Sequence, residues 1–263
     1  MPRLIGETVA MAQHAPEPPV PVTREVMRMW WLDLAFIHTP VEPAAVEALL
    51  PPDLRVDTWP DDNGIERAWI GLVPFVMKVG LPGGRAIPWF GTFPETNVRT
   101  YVLGPDGTPG VWFCSLEAGG LAATATARAV YGLPYFWADM RVDHHDGIWT
   151  YESTRRWPRG QGQPRHHSRV RVGDRIAADD VTDFEHYLSG RWGLYSRWPT
   201  PNRGITVYAA VDHPRWELHR AELLDLDDSL VVAAGLPEPA GDPIVHWTPG
   251  VEVRIGRPRR VVN

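Results

Sequence analysis

The sequence is almost without lysine and cysteine. Lys78 is the only lysine among 26 basic residues, so a reaction passing through a lysine imine has one candidate in all 263 residues. Cys114 is the only cysteine, which excludes an intrachain disulfide framework and fits a reducing cytosol. No apolar run approaches the roughly 18 residues of a membrane span, and the N-terminus lacks the basic start and apolar stretch of a secretory signal. A cytoplasmic location with no membrane partner is expected. Signature motifs are missing too: HExxH, paired CxxC, GxxxxGK(S/T), GxSxG, and GxGxxG after a strand. Nucleotide-dependent phosphoryl transfer and hydride transfer therefore have no support, and no cofactor is expected. A formal charge of −6 argues against general nucleic-acid binding.

Proline and glycine are plentiful: 27 prolines and 24 glycines break the chain into short segments that suit strands and turns better than long helices. Residues 1–24 include PEPPVPV and read as a surface leader, and 25–263 as a single domain with no low-complexity linker. Strands are expected over Arg28–Thr39, Leu54–Asp57, Glu66–Lys78, Gly110–Glu117, Ile148–Trp157, His166–Val172, Gly204–Val211, Arg215–Leu226 and Val251–Ile255. Four helices are expected. One runs over Val41–Leu50, with Thr39 as cap and Pro40 first, and a second over Leu121–Val130. A third is capped by Asp180 and ends at Gly190, and a short one covers Asp228–Ala234.

One strand stands out. Phe93–Val102, FPETNVRTYV, places Glu95, Asn97, Arg99 and Tyr101 on one face by the period of two, and the β-branched and apolar residues on the other. Such a row is either the wet face of a half-buried strand or the lining of a ligand cavity. The turn GPDG makes a hairpin with Gly110–Glu117, where the same period puts Ser115 and Glu117 on a face with Val111 and Phe113. After Gly132 and Pro134, a strand carries Tyr135, Trp137 and Asp139 on one side. The pairs His144-His145 and His166-His167 point to opposite strand faces, so neither chelates one ion and no metal site is expected. Arg155–Arg175 holds seven arginines; a solvated hairpin face is the plain reading, with an anion clamp or nucleic-acid contact as alternatives. Lys78 ends an apolar strand, where such a side chain usually snorkels to water.

Taken in order, FPETNVRTYV, GVWFCSLEAG and ARAVYGLPYFWADM resemble the signature of the YqjF-like family of uncharacterised bacterial proteins. The flanks MWWLDLAFIHTPVEPAAVEALLPPDL, HPRWELHRAEL and HWTPGV are similar as well, extending the likeness over roughly residues 27–255. The resemblance implies the α+β fold of acetoacetate decarboxylase: a strongly bent antiparallel sheet closing into a cone or barrel around a small-molecule cavity, with a few short helices. The decarboxylase's GxPKK segment resembles Gly132-Leu133-Pro134-Tyr135-Phe136, with both lysines replaced. A phenol cannot condense with a keto group, so imine-based decarboxylation is not expected here. The decarboxylase's cavity glutamate most resembles Glu95.

In that fold the polar row would meet across a cavity. Glu95, Arg99 and Tyr135 are then the catalytic candidates: Glu95 as acid/base, Arg99 to hold a carboxylate or polarise an enolate oxygen, Tyr135 to donate to developing oxyanion charge. Asn97, Tyr101, Ser115, Glu117 and Asp139 are substrate-binding candidates. Arg99 paired with Glu95 or Glu117 in a buried structural network is the alternative. The expected activity is that of a lyase, isomerase or cyclase on a keto-acid-like compound. A non-catalytic metabolite-binding protein, and a partner-binding protein using the Arg-rich hairpin, are the competing readings. The expected partner is a small molecule, and a homo-oligomer stays open.

Overall fold

The computed structural model describes residues 17–18, 21–83, 91–120, 132–158, 162–198 and 204–262. The strands are β1 (Glu25–Val41), β2 (Arg55–Val56), β3 (Trp59–Pro60), β4 (Glu66–Gly80), β5 (Thr92–Leu103), β6 (Pro109–Ala118) and β7 (Tyr135–His145), then β8 (Ile148–Trp157), β9 (Arg165–Arg175), β10 (Gly193–Trp198), β11 (Ile205–Asp212), β12 (His219–Asp228), β13 (Ile244–Gly256) and β14 (Arg259–Arg260). Three short helices accompany them: α1 (Pro43–Glu47), α2 (Asp183–Ser189) and α3 (Leu230–Ala233). The sheet order is β14-β11-β10-β6-β7-β8-β9-β12-β13-β1-β4-β5-β2, with further pairings of β11 to β13 and β6 to β5, and with β3 beside β4. Pairing is antiparallel except where β6 meets β7 and β10. The architecture is therefore α+β, dominated by one large and strongly bent sheet. Long strands follow from the sequence: apolar and β-branched side chains recur along β1, β4, β5 and β13, and both faces of these strands are largely buried.

Two irregularities bend the sheet and decide which side chains face inward. Asp33 adopts φ 49°, and the β1–β4 register slips by one residue between Leu32 and Ile37. The inward set of β1 thereby changes parity, from Met27, Met29 and Trp31 before the slip to Leu34 after it. Across the ladder, Gly250 pairs with Leu32 and has φ 116°. A Cβ there would be driven into the Trp31 carbonyl. A second slip lies between β5 and β6, where Val98 pairs with Ser115 but Arg99 with Phe113, leaving Cys114 as the extra residue.

Several local expectations are corrected. Thr39 and Pro40 do not start a helix, because Thr39–Val41 continue the β4 ladder opposite Ile70, Trp69 and Ala68. The helix begins at Pro43, with Glu42 in the cap position. Asp180 closes a 3₁₀ turn, and α2 is capped by Thr182 instead. Thr182 Oγ1 accepts from Glu185 N at 3.2 Å while Glu185 Oε2 accepts from Thr182 N at 2.7 Å, a reciprocal capping box; Gly190 ends the helix as expected. The strand Gly193–Trp198 has no counterpart in the sequence reading, and the last long strand starts at Ile244, not Val251. The expected helix Leu121–Val130 lies outside the described residues.

The bend at Gly250 is testable. Gly64 also has a positive φ (75°) but open space around its Cβ position, so Gly64→Ala meets only the left-handed penalty of roughly 1–2 kcal/mol. Gly250→Ala adds a backbone collision and is expected to lose clearly more stability in urea melts. Equal losses would show that the close approach to Trp31 does not hold the bend.

Candidate functional site

A cavity of about 190 Å³ is lined by β1, β4, β5 and β6 on one side and by β10, β11 and the end of β13 on the other. The polar row of β5 enters it: Glu95, Asn97 and Arg99 all line the cavity, as does Tyr135 from the start of β7. Most of the remaining wall is apolar, with Leu34, Val73, Phe75 and Leu116 surrounding the polar group. The Tyr135 phenol donates to Glu95 Oε2 at 3.0 Å, and among the described residues nothing else is bonded to that carboxyl. Burial pushes Glu95 up to about 8; the Tyr135 hydrogen bond opposes the shift and the charge of Glu117 adds to it. Burial also holds the Tyr135 phenol well above its ordinary range, so it remains a donor.

Arg99 forms the deep end of the row. Its guanidinium lies over the Phe36 ring at 5.2 Å, and Nη2 makes long contacts of 3.4 Å with Tyr101 Oη and the Leu188 carbonyl. No carboxylate pairs with Arg99 among the described residues, and its Nε is buried without a hydrogen-bond partner. Gly71 makes the space: a Cβ there would stand 3.2 Å from both Arg99 Cγ and His38 Nε2. Tyr101 donates its single proton to the Leu188 carbonyl at 2.5 Å, so the 2.5 Å contact with His38 must run from Nε2–H to the phenol oxygen. His38 Nδ1 is then a buried lone pair without a partner among the described residues. Burial, reinforced by Arg99, holds this histidine far below its usual range and hence neutral. The neighbouring Arg191, in contrast, has a carboxylate partner: Nη1 donates to Asp57 at 2.6 Å and Nε to the Tyr187 carbonyl at 2.7 Å, while Nη2 is buried without a partner among the described residues. The α2 C-terminus thus turns its carbonyls toward two guanidinium groups, the favourable orientation for its dipole.

The other expected site residues are elsewhere. Tyr101 is buried behind Arg99, between His38 and Tyr187, and does not line the cavity. Ser115 and Glu117 lie on the opposite sheet face, because the extra residue Cys114 makes Phe113 and Leu116 the inward pair of β6. There Glu117 accepts from Ser115 Oγ at 2.7 Å and from Arg155 Nε at 2.9 Å. Arg99 therefore pairs with neither Glu95 nor Glu117. Asp139 is exposed and bonded to Arg156 at 2.8 Å. The Arg-rich hairpin is matched by acids of the adjoining β12: Arg165 with Asp227 at 2.8 Å and Arg171 with Glu222. Lys78 faces away from the cavity, over the Trp30 ring at 5.0 Å. Among the described residues no three His, Cys, Asp or Glu side chains gather as a metal site would require. His38, Gly71 and Ser196 belong to the site or its support and were not anticipated; only the alternation along WLDLAFIHT could have suggested His38, and the slip at Asp33 obscures it.

Residues 28–252 match the family DUF2071, described as an uncharacterized conserved protein. YqjF of Bacillus subtilis (strain 168), an uncharacterized protein, is 31% identical over 229 residues, covering 84% of this chain and 87% of that protein. Solved structures share the fold at low identity. Acetoacetate decarboxylase from Legionella pneumophila superposes with TM-score 0.63 at 12% identity, covering 96% of this chain and 95% of that one. The acetoacetate decarboxylase-like enzyme from Sphingomonas wittichii RW1 gives 0.62 at 13%, over 93% and 96%. The enduracididine biosynthesis enzyme MppR complexed with pyruvate gives 0.61 at 12%, over 93% of each chain. By the span of the family match and the identity to YqjF, this chain, whose fold is similar to that of acetoacetate decarboxylase, belongs to the YqjF/DUF2071 family.

Proposed function

We propose that the chain is an enzyme acting on a small keto-acid-like compound by acid/base chemistry and oxyanion stabilisation, as a lyase, isomerase or cyclase, without an imine. One observation carries this reading: a raised-pKa carboxyl, Glu95, bonded to a phenol, shares an apolar cavity with an arginine that has no carboxylate partner among the described residues. A guanidinium in such surroundings is matched by a ligand carboxylate, which it can take in two parallel hydrogen bonds. Glu95 then removes or returns a proton next to the substrate carbonyl, and Tyr135 donates to the oxygen on which charge develops. The ring of pairings β6-β10-β11-β13-β1-β4-β5 and back to β6 supports a sheet closed as a cone around the cavity. The capture of pyruvate by MppR, on a similar fold, is in keeping with a carbonyl acid as ligand. The only lysine lies outside the cavity lining, which supports chemistry without an imine.

The first test incubates the protein with a metabolite extract and with keto acids, and identifies retained and converted compounds by mass spectrometry. Conversion that survives Lys78→Arg, with no adduct trapped by borohydride, is the expected outcome; a borohydride-stable adduct on Lys78 would overturn the imine-free mechanism, and ligands retained unchanged would identify a binding protein. Arg99→Leu is expected to weaken carboxylate binding on the order of 100-fold, as loss of one buried charge-paired anchor should. For Glu95 the kcat/KM profile should show an ionisation near pH 8 that disappears in Glu95→Gln. The same group makes a stability prediction with a definite sign. Its folded pKa is raised, so the folded state holds the proton more tightly, and stability is fully present below about 4.5 and declines as pH rises through 8. The decline is at most ~1.4 kcal/mol per pH unit, and Glu95→Gln should flatten it in urea melts across that window. An unchanged slope would show that Glu95 ionises as freely as an exposed carboxyl.

A further inference from the structure

We infer that the acid this site takes carries a bulky apolar tail, aryl or branched aliphatic, and that two- and three-carbon acids are poor ligands. The inference rests on the Arg99–carboxylate reading above and adds the other end of the ligand. Polarity along β5 is graded. Arg99, Asn97 and Glu95 succeed one another on the inward face, and the next inward residue is Phe93. At the level of Glu95 and Phe93, the adjoining strand supplies Phe75 and Met77, which pair with them directly. Beyond Met77, Trp31 and Met29 continue the same wall. A ligand anchored at Arg99 therefore passes Glu95 and enters a chamber whose described lining is apolar apart from Ser196 and the Trp31 indole nitrogen.

Size agrees with polarity. An apolar cavity of about 150 Å³ holds a benzene molecule. The 190 Å³ here leaves room for a six-carbon ring or branched chain together with a short acid head. A two- or three-carbon acid would leave the apolar half empty, forfeiting its dispersion contacts. The thioether side chains of Met29 and Met77 adapt to tails of different shape, which suits a class of related acids. Asn97 fixes the head group: its Oδ1 is buried without a partner among the described residues, so the carbon chain near the carboxylate should carry a hydrogen-bonding oxygen such as an enol or hydroxyl.

The test is a calorimetric series on the intact protein with unreactive acids: acetate, propanoate, 4-methylpentanoate and phenylacetate, with phenylacetamide as the uncharged control. Each buried methylene should tighten binding about threefold to fourfold, so phenylacetate and 4-methylpentanoate should bind at least 30-fold more tightly than acetate. Acetate or propanoate binding within threefold of phenylacetate would overturn the inference while leaving the carboxylate reading intact. Phenylacetamide, or Arg99→Leu with phenylacetate, binding as well as the wild-type acid pair would overturn the carboxylate reading instead. Ala209→Phe, which projects a ring into the chamber from β11, should lower phenylacetate affinity more than acetate affinity. An unchanged ratio in a folded variant would count against the chamber, and the wild-type series decides the matter if that variant does not fold.

Discussion

The buried charge of Arg99 is the constraint around which the deep half of the molecule is arranged. A guanidinium cannot leave water cheaply, and no carboxylate is set against this one among the described residues. What surrounds it instead is a set of weaker compensations: the Phe36 face, the Tyr101 oxygen and the Leu188 carbonyl at the end of α2. Each depends on another element. Tyr101 is oriented because Leu188 takes its proton and His38 donates to its oxygen; α2 is held by its capping box and by Tyr187, whose phenol reaches the Asp57 carbonyl at 2.9 Å. A side chain at Gly71 would crowd Arg99 Cγ and His38 Nε2, each 3.2 Å from its Cβ position. A partly compensated cation facing an apolar cavity is a strong attractor for one anionic group.

The sheet separates that cavity from a second buried polar network. On the far side of β5 and β6, Glu117 is held by Ser115 and Arg155, and near it Asp228, His166 and Ser168 form a hydrogen-bonded chain with distances of 3.1 and 2.9 Å. Asp228 Oδ2 also accepts from Val231 N at 3.1 Å at the start of α3. This chain ties the β8–β9 hairpin, β12 and α3 together, and Ser168 is fully buried, so the resemblance of its order to an acyl-transfer triad carries no access for a substrate. Glu117 still acts across the sheet, since its charge adds to the upward shift of Glu95.

How much was legible along the chain depended on local regularity. β5 runs without an internal bulge through Glu95, Asn97 and Arg99, so the period of two placed those residues on one face correctly. β6 contains one extra residue at Cys114, and that alone moved Ser115 and Glu117 from the expected face to the other. β1 contains another at Asp33, which brought Leu34 into the lining in place of an odd-numbered neighbour and hid His38. Thr39-Pro40 had the chemistry of a helix start, but the ladder to β4 was worth more than the cap. The acids of β12 that absorb the hairpin arginines lie about 50 to 60 residues further on, beyond the reach of any local pattern.

The amino-acid sequence by itself determined the inventory: one lysine, two lysines of a related motif replaced by Tyr135 and Phe136, a run of polar side chains at strand spacing, and the family signature. It determined these because each is a matter of residue identity or of a period spanning a few residues. Only the tertiary structure decided that the row looks into a cavity, that Tyr135 meets Glu95 from 40 residues away, and that Arg99 meets no carboxylate among the described residues. Burial, and with it the displaced ionisation of Glu95, is a property of everything packed around a group. No stretch of sequence contains that information, because the strands enclosing the cavity come from β1 to β13.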